Sequence, residues 1–365
     1  MINFNFLPSK RLAFYMAKLF LTRSLAVLVA LVMVLMALDL LGESGKILAV
    51  PGNGEAELWQ YVSLRVPMLA SRFLPFSVLL GTLIALSTLN QNSEVVAMKA
   101  AGLSAHQILA PMILASIGVA AATFAFNETV VVRAARTVDA WTGADYRPVP
   151  PEKGVLSNVW ARDGDRLIHA GHVGGRGVGV HLERVTIYER EKGAVMRVID
   201  ADRADQRPGG WRLSGVREYD TQTNVVRKLN SVDALEGVEP TRFTLAKVIA
   251  TDRSFKDLNR AIADLDRAGR PSAEARTGWW HKISGPLSTI LMPLLAALAA
   301  FGLARSGQVL LRATIGMALG FTYFVVDNFS LALGNVGAYP PMLAAWAPFL
   351  LFLFIGETVL IRSEE

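Results

Sequence analysis

The 365-residue chain is 52% hydrophobic and 19% charged, against roughly 45–50% and about 25% in ordinary soluble domains. It has no cysteine, which excludes disulfides, thiolate metal sites and cysteine nucleophiles. Its formal charge of +6 could suit nucleic acid, but the basic residues stand beside apolar blocks, where they act as topology determinants. No nucleic-acid partner is expected.

Lys10, Arg11, Lys18 and Arg23 precede an uncharged run over 24–38. A signal peptide would carry a small-x-small cleavage site close behind this run. None follows and further apolar runs come later, so the pattern predicts a retained first membrane helix. Uncharged runs over 73–89, 107–126, 283–304 and 336–356 each come close to the roughly 20 residues a bilayer helix needs. A run over 310–333 carries Arg312 at its start and is otherwise interrupted only by Asp327. That makes six spans, three before a long polar insert and three after it.

Between the second and third spans, residues 90–104 form a longer link than two helices need. Asn92 or Ser93 can cap a short helix there, with Glu94 in its first turn, where the macrodipole favours an anion. Gly102 supplies a left-handed stop. Ser104 and Gln107 make a capping box for the next helix. A folded polar helix between spans predicts a docking surface. The basic residues Lys10, Arg11, Lys18, Arg23, Lys99, Arg305, Arg312 and Arg362 fall on one side of the spans, against Lys46, Arg65 and Arg72 on the other. The positive-inside rule then places both termini and the 92–102 helix in the cytoplasm and the insert outside.

Within the insert, short valine-, isoleucine- and aromatic-rich runs lie at 155–161, 166–170, 178–188, 195–199, 211–219 and 243–250. Gly and Asp turns such as 162–165 divide them, which predicts an all-β sandwich or jelly roll. Residues 129–141 read as a helical stem leaving the membrane. Residues 252–268 read as a second, returning stem with Phe255, Leu258, Ile262 and Leu265 on one face. The expected fold is therefore an integral membrane α-helical protein, six transmembrane helices arranged 3+3, with an inserted all-β domain on the outer side. Its parts are 1–126, including the 92–102 helix, then 127–278 and 279–365.

No catalytic constellation emerges. His169, His172 and His181 are close in sequence, but a spacing of three puts strand residues on opposite faces, so a solvated sheet face is favoured over a metal site. No P-loop motif is present, and glycine-rich 171–179 reads as a turn among strands. Asp327 is an ionisable residue inside a span and marks a cavity or a partner contact. Gly316 and Gly320 form a small-xxx-small pair that permits close helix approach. Asp39 and Glu357 sit near span ends, within reach of head groups.

The order of spans, the insert and the run Asn92-Ser93-Glu94-Val95-Val96-Ala97-Met98-Lys99-Ala100-Ala101-Gly102 resemble the LptF/LptG (YjgP/YjgQ) permease family of the lipopolysaccharide exporter. Residues 159–164, Trp280-His281-Lys282 with Gly285-Pro286-Leu287, and 324–328 are more like its LptG branch. The resemblance implies a jelly-roll periplasmic domain, an LptF-like permease partner in a heterodimer, an LptB-like ATPase dimer, and LptC and LptA bound through the β domain. It also implies a Gram-negative inner-membrane location and lipopolysaccharide as substrate. ATP and magnesium would be used by the ATPase, with no cofactor or metal on this chain. The coupling helix would engage the ATPase through Asn92, Ser93, Glu94, Val95, Met98, Lys99 and Gly102, with Glu94 as the polar anchor. The lipid cavity and lateral gate would involve Leu31, Leu35, Asp39, Gly316, Gly320, Phe321, Phe324 and Asp327. Relatives carry lysines just after the aspartate that ends the first span. Here Asp39 is followed by Leu40, Leu41, Gly42 and Glu43, so head-group contact falls to Lys46, Arg65, Arg72 or the partner subunit. Two other readings stay open: an LptF-type subunit, and a non-transporting scaffold with a periplasmic binding domain.

Overall fold

The computed structural model describes residues 8–148, 156–175, 179–191, 194–240, 243, 249–267, 270–301 and 309–362. Arg305, Val155, Val178 and most of the strand expected over 243–250 lie outside the described residues. The helices, in chain order, begin with α1 (Lys10–Leu48), α2 (Glu55–Gln91) and the short α3 (Glu94–Ala100). Next comes α4 (Ala105–Phe126), which passes through a π turn (Asn127–Val131) into α5 (Val132–Gly143). The sheet follows, then α6 (Phe255–Arg267), α7 (Ala273–Phe301), α8 (Val309–Asn335) and α9 (Pro341–Arg362).

Among the described residues six helices are long and apolar enough to cross a membrane. Helices α1 and α2 overrun their apolar runs at both ends, and two further differences bear on the last span and the insert. The sixth helix starts at Pro341, because 336–340 forms a turn with Gly337 at φ +77 and proline suits a first helical position. Helix α7 begins at Ala273, ahead of its apolar run, and so carries Trp279, Trp280, His281 and Lys282 as ordered helix. The β insert is thus entered and left through continuous helices.

One apolar core joins the bundle. It takes Met16 and Phe20 from α1, Leu79, Leu86 and Leu89 from α2, Ile108 and Leu109 from α4, and Leu291 and Leu295 from α7. Tyr323 and Phe352, in edge-to-face contact at 5.3 Å, add α8 and α9. Helix α7 is its centre: 72% of its apolar window is buried, against 6% for α1 and 17% for α8. Helices α1 and α2 cross where Gly81 meets Ser24, and a Cβ on Gly81 would lie 2.5 Å from the Ser24 backbone. Gly81→Val is therefore expected to force the two helices apart and cost about 1–3 kcal/mol. The unfolding midpoint of the purified protein in detergent checks this, and an unchanged midpoint would rule out the close crossing.

Among the described residues six strands form one antiparallel meander in sequence order: β1 (Leu156–Asp163), β2 (Arg166–Gly174), β3 (His181–Glu191), β4 (Ala194–Arg207), β5 (Gly210–Asp220) and β6 (Val225–Ala234). The sequence pattern does not show β6, because almost all of it is exposed and it lacks apolar alternation. Strand β4 runs well past its apolar start for the same reason. Ile168, Leu182, Ile187, Trp211, Leu213 and Phe243 anchor the core, and the Trp211 indole donates to the Val238 carbonyl at 2.8 Å.

A crease crosses the sheet. The paired register is unbroken on both sides of Gly171, Arg184, Asp202 and Gly215 but skips these positions. Across it, buried residues are spaced by three instead of two: Ala170 to Val173, Leu182 to Val185, Ala201 to Ala204, and Leu213 to Val216. Each strand takes up an extra residue at the same level, as in a bulge, and bends there. Arg184 (φ 52) and Gly215 (φ 68) supply left-handed backbone for this.

The expectation that a spacing of three separates His169 and His172 fails, because the crease at Gly171 takes up one residue and leaves both on the face opposite buried Ile168, Ala170 and Val173. His169 packs on Trp160 at 4.6 Å, His172 Nε2 accepts from Arg184 Nη2 at 2.8 Å, and His181 lies 4.0 Å from Glu183. No group able to hold a metal ion is found among the described residues. Burial, and then the Arg184 charge, hold His172 below the usual 6.5, with Glu183 opposing. A lowered histidine value means the unfolded chain binds the proton more readily. The contribution of this contact is thus complete above about pH 6.5 and is lost as pH falls through the depressed value. An NMR titration is expected to show His172 protonating below 6.5 in the wild type and closer to it in Arg184→Gln.

Candidate functional site

Helix α3 is held at both ends, though not as its sequence suggests. Ser93 occupies the N-cap in left-handed backbone (φ 59) and its side chain makes no cap hydrogen bond. The Asn92 amide donates to Glu94 Oε1 at 3.3 Å. The Tyr15 hydroxyl of α1 donates to the same oxygen at 3.2 Å. At the C-terminus, Leu103 N–H reaches Met98 O at 3.1 Å and Gly102 N–H reaches Lys99 O at 2.9 Å. With Gly102 at φ +85, this is a Schellman stop. Ser104 and Gln107 then form the expected capping box.

Amphipathic spacing decides which face of α3 is available. Val95 and Met98 are buried in the bundle core, so they tie α3 to α1, α2 and α4. The open face carries Asn92, Ser93, Val96, Lys99 and Gly102, with Val96 66% exposed. Sequence reasoning missed Tyr15, since nothing local marks a tyrosine 79 positions away as a partner of Glu94.

At the opposite end of α1 and α2, charge is internally matched. Arg65 embraces Asp39 through Nε and Nη2 at 2.8 and 2.9 Å, and the Tyr61 hydroxyl donates to Asp39 at 2.8 Å. Lys46 bonds Glu43 at 2.8 Å, and Glu43 also accepts from the Tyr146 hydroxyl at 2.7 Å. Asn53 donates to the Ile47 and Tyr146 carbonyls. A bidentate guanidinium–carboxylate pair satisfies the planar fork of the arginine, so Arg65 and Lys46 are engaged within the chain. Arg72 is exposed and forms no ion pair among the described residues. The sequence alone does not pair Asp39 with Arg65, and each stands there as a residue within reach of head groups.

On α8, the glycine stripe is filled from within the chain. Added Cβ atoms would lie 2.8 Å from Leu83 at Gly316 and 2.1 Å from Leu79 at Gly320. Phe321 is 60% exposed and Phe324 is also exposed. Asp327 is half-buried and interacts electrostatically with His281 of α7. On α1, Leu35 packs in a second cluster with Met36, Tyr61 and Tyr146, Leu31 is half-buried, and Leu25, Met33, Leu38 and Leu41 remain exposed. Glu357 lies 3.4 Å from His106 of α4.

Six long apolar helices, a β domain threaded between the third and fourth, and a firmly capped helix joining the second to the third define a polytopic membrane protein of the transport-permease class. The model of the family described as lipopolysaccharide export system permease LptF/LptG matches residues 14–362, and the chain belongs to that family. It is 28% identical over 316 residues to the lipopolysaccharide export system permease protein LptG of Escherichia coli strain K12, covering 83% of this chain and 85% of that protein. It is 24% identical over 326 residues to the LptG of Haemophilus influenzae strain Rd, covering 86% and 89%.

Proposed function

We propose that this chain is the LptG-type permease subunit of an ABC transporter that extracts lipopolysaccharide from a Gram-negative inner membrane and passes it to a periplasmic bridge toward the outer membrane. The observation that carries this reading is the family match along nearly the whole chain, joined to relatives named LptG. With no P-loop in the sequence, ATP and magnesium belong to a separate LptB-like ATPase dimer, and an LptF-like permease completes the heterodimer. The termini and α3 lie in the cytoplasm by the positive-inside rule. The β domain lies in the periplasm, where it meets LptC and LptA. The three-part division at 126/127 and 278/279, and the jelly-roll form of the β domain, are carried by the same resemblance.

In this proposal α3 is the coupling helix. Its open face, with Asn92, Ser93, Val96, Lys99 and Gly102, rests on the ATPase, and Glu94 anchors it. Val95 and Met98 pass the motion inward to the bundle core, and the Tyr15–Glu94 bond passes it to α1. Helices α1 and α8 have the least-covered apolar windows, which suits a lateral gate facing lipid or a second permease, with Phe321 and Phe324 on the open side. An apolar lining suits acyl chains, at about 0.8 kcal/mol per buried CH₂. Arg72 is the best placed of the three basic residues for a head group, because Arg65 and Lys46 already have carboxylate partners.

The test is affinity purification of the tagged chain from membranes, with identification of what accompanies it. A second permease, a nucleotide-binding subunit and lipopolysaccharide are expected. A stable chain recovered alone, with neither ATPase nor lipid, would overturn the proposal in favour of a scaffold.

A further inference from the structure

The crease in the sheet borders a cavity of about 430 Å³ lined by Arg147, His172, Glu183, Arg184, Asp202 and Arg203, with Ala144 and Pro148. It lies between the top of α5 and the outer face of the sheet. His172, Glu183 and Arg203 are neighbours in one row across β2, β3 and β4, and Arg184 and Asp202 stand on the crease itself.

Two glycines open the floor for the charged groups. A Cβ on Gly171 would lie 3.0 Å from Cβ and Nε of Arg184, and one on Gly215 would lie 2.2 Å from Asp202 Oδ2. Each clearing is filled by a charged side chain of the neighbouring strand. Arg184 is held there in left-handed backbone, an uncommon state for a residue with a Cβ, and its guanidinium is oriented by the bond to His172. Arg203 is braced by Asp205 at 2.9 Å.

Three guanidiniums and two carboxylates line the cavity, and one of the three, Arg203, is paired with Asp205 beside it. Guanidinium forks match phosphate oxygens, and carboxylates accept hydrogen bonds from hydroxyl groups. Tyr146, the residue before Arg147, is tied to Asn53 in the turn between α1 and α2 and to Glu43 of α1, which links the cavity wall to that end of the two helices. We propose that this cavity binds a phosphorylated sugar. Assigning that sugar to a lipid head group rests on the export function proposed above; a free sugar phosphate has the same chemistry.

Glucosamine 1-phosphate, glucosamine and inorganic phosphate would be titrated calorimetrically into the full-length chain in lipid nanodiscs. Glucosamine 1-phosphate is expected to bind more tightly than either simpler probe, and Arg147→Gln to weaken it about tenfold. Arg147 is exposed outside any helix or strand, so its replacement leaves the fold intact. Arg184→Gln and Gly171→Val, which displaces Arg184 without removing charge, should weaken it similarly. No binding, equal binding of the three probes, or unchanged affinity in Arg147→Gln overturns the site. Lipopolysaccharide release by the reconstituted complex separates the sources. Slower release in Arg147→Gln supports the site with the head group as its ligand, while lost binding with normal release supports it with a free sugar phosphate. A wild-type complex that releases no lipopolysaccharide sinks the export function, and the titration still decides the site.

Discussion

Glu94→Ala is expected to reduce ATP-driven lipid release by a reconstituted complex roughly ten- to a hundredfold while the chain still inserts and folds. A hydrogen bond to a charged group contributes about 1.5–3 kcal/mol, and each 1.4 kcal/mol is a factor of ten. The fold should survive because α3 is secured independently of Glu94, by Val95 and Met98 in the core and by the Schellman stop at Gly102. Tyr15→Phe removes only the bond between α1 and Glu94 and should have a smaller effect, leaving ATPase association unchanged. Release of lipopolysaccharide from proteoliposomes, measured beside co-purification of the ATPase, separates docking from transmission. Normal release by the Glu94→Ala complex would remove Glu94 from the mechanism.

Lys282→Ala should destabilise the protein by about 1–3 kcal/mol, the cost of leaving a partly buried carboxylate without its cation. Lys282 Nζ sits 2.7 Å from Glu128 Oε1, with only 12% and 19% of the two side chains exposed. Glu128 Oε2 also accepts from the Phe255 backbone N–H at 2.6 Å. One carboxylate therefore joins the π turn after α4, the start of α6 and helix α7, the three segments on which the insert stands. The Arg136–Asp257 pair at 2.9 Å holds the same stems higher up. Replacing both charges, as in Glu128→Leu with Lys282→Met, should recover part of the loss, because neither ion then lacks a partner. A residual cost remains for the unsatisfied Phe255 N–H. Denaturation midpoints in detergent measure each variant, and wild-type stability in Lys282→Ala would show that the pair is not buried.

The capping box at Ser104 and the Gly102 stop were legible because each involves residues only a few positions apart. The N-cap position at Ser93 was legible but its bonding was not, since the left-handed backbone there (φ 59) leaves the serine side chain without a cap hydrogen bond. Strand β6 escaped notice because an exposed strand carries no alternation. Nothing local in the sequence links Lys282, ahead of the fourth span, with Glu128, at the start of the insert. Their union needed α4 and α7 to lie side by side. Arg65 read as an available cation until Asp39 on the neighbouring helix met both arms of its fork.

From the sequence alone came the six apolar helices, the position and β character of the insert, its two helical stems, and the short helix between the second and third spans. These follow from apolar windows that water rejects and from backbone caps, which act along the chain. The tertiary structure alone decided which way residues face: Val95 and Met98 inward, Gly316 and Gly320 against leucines of α2, Arg65 onto Asp39, and three arginines around a crease. Each outcome depends on side chains far apart in sequence competing for one volume or one charge partner, and hydrophobic periodicity does not record who the neighbour will be.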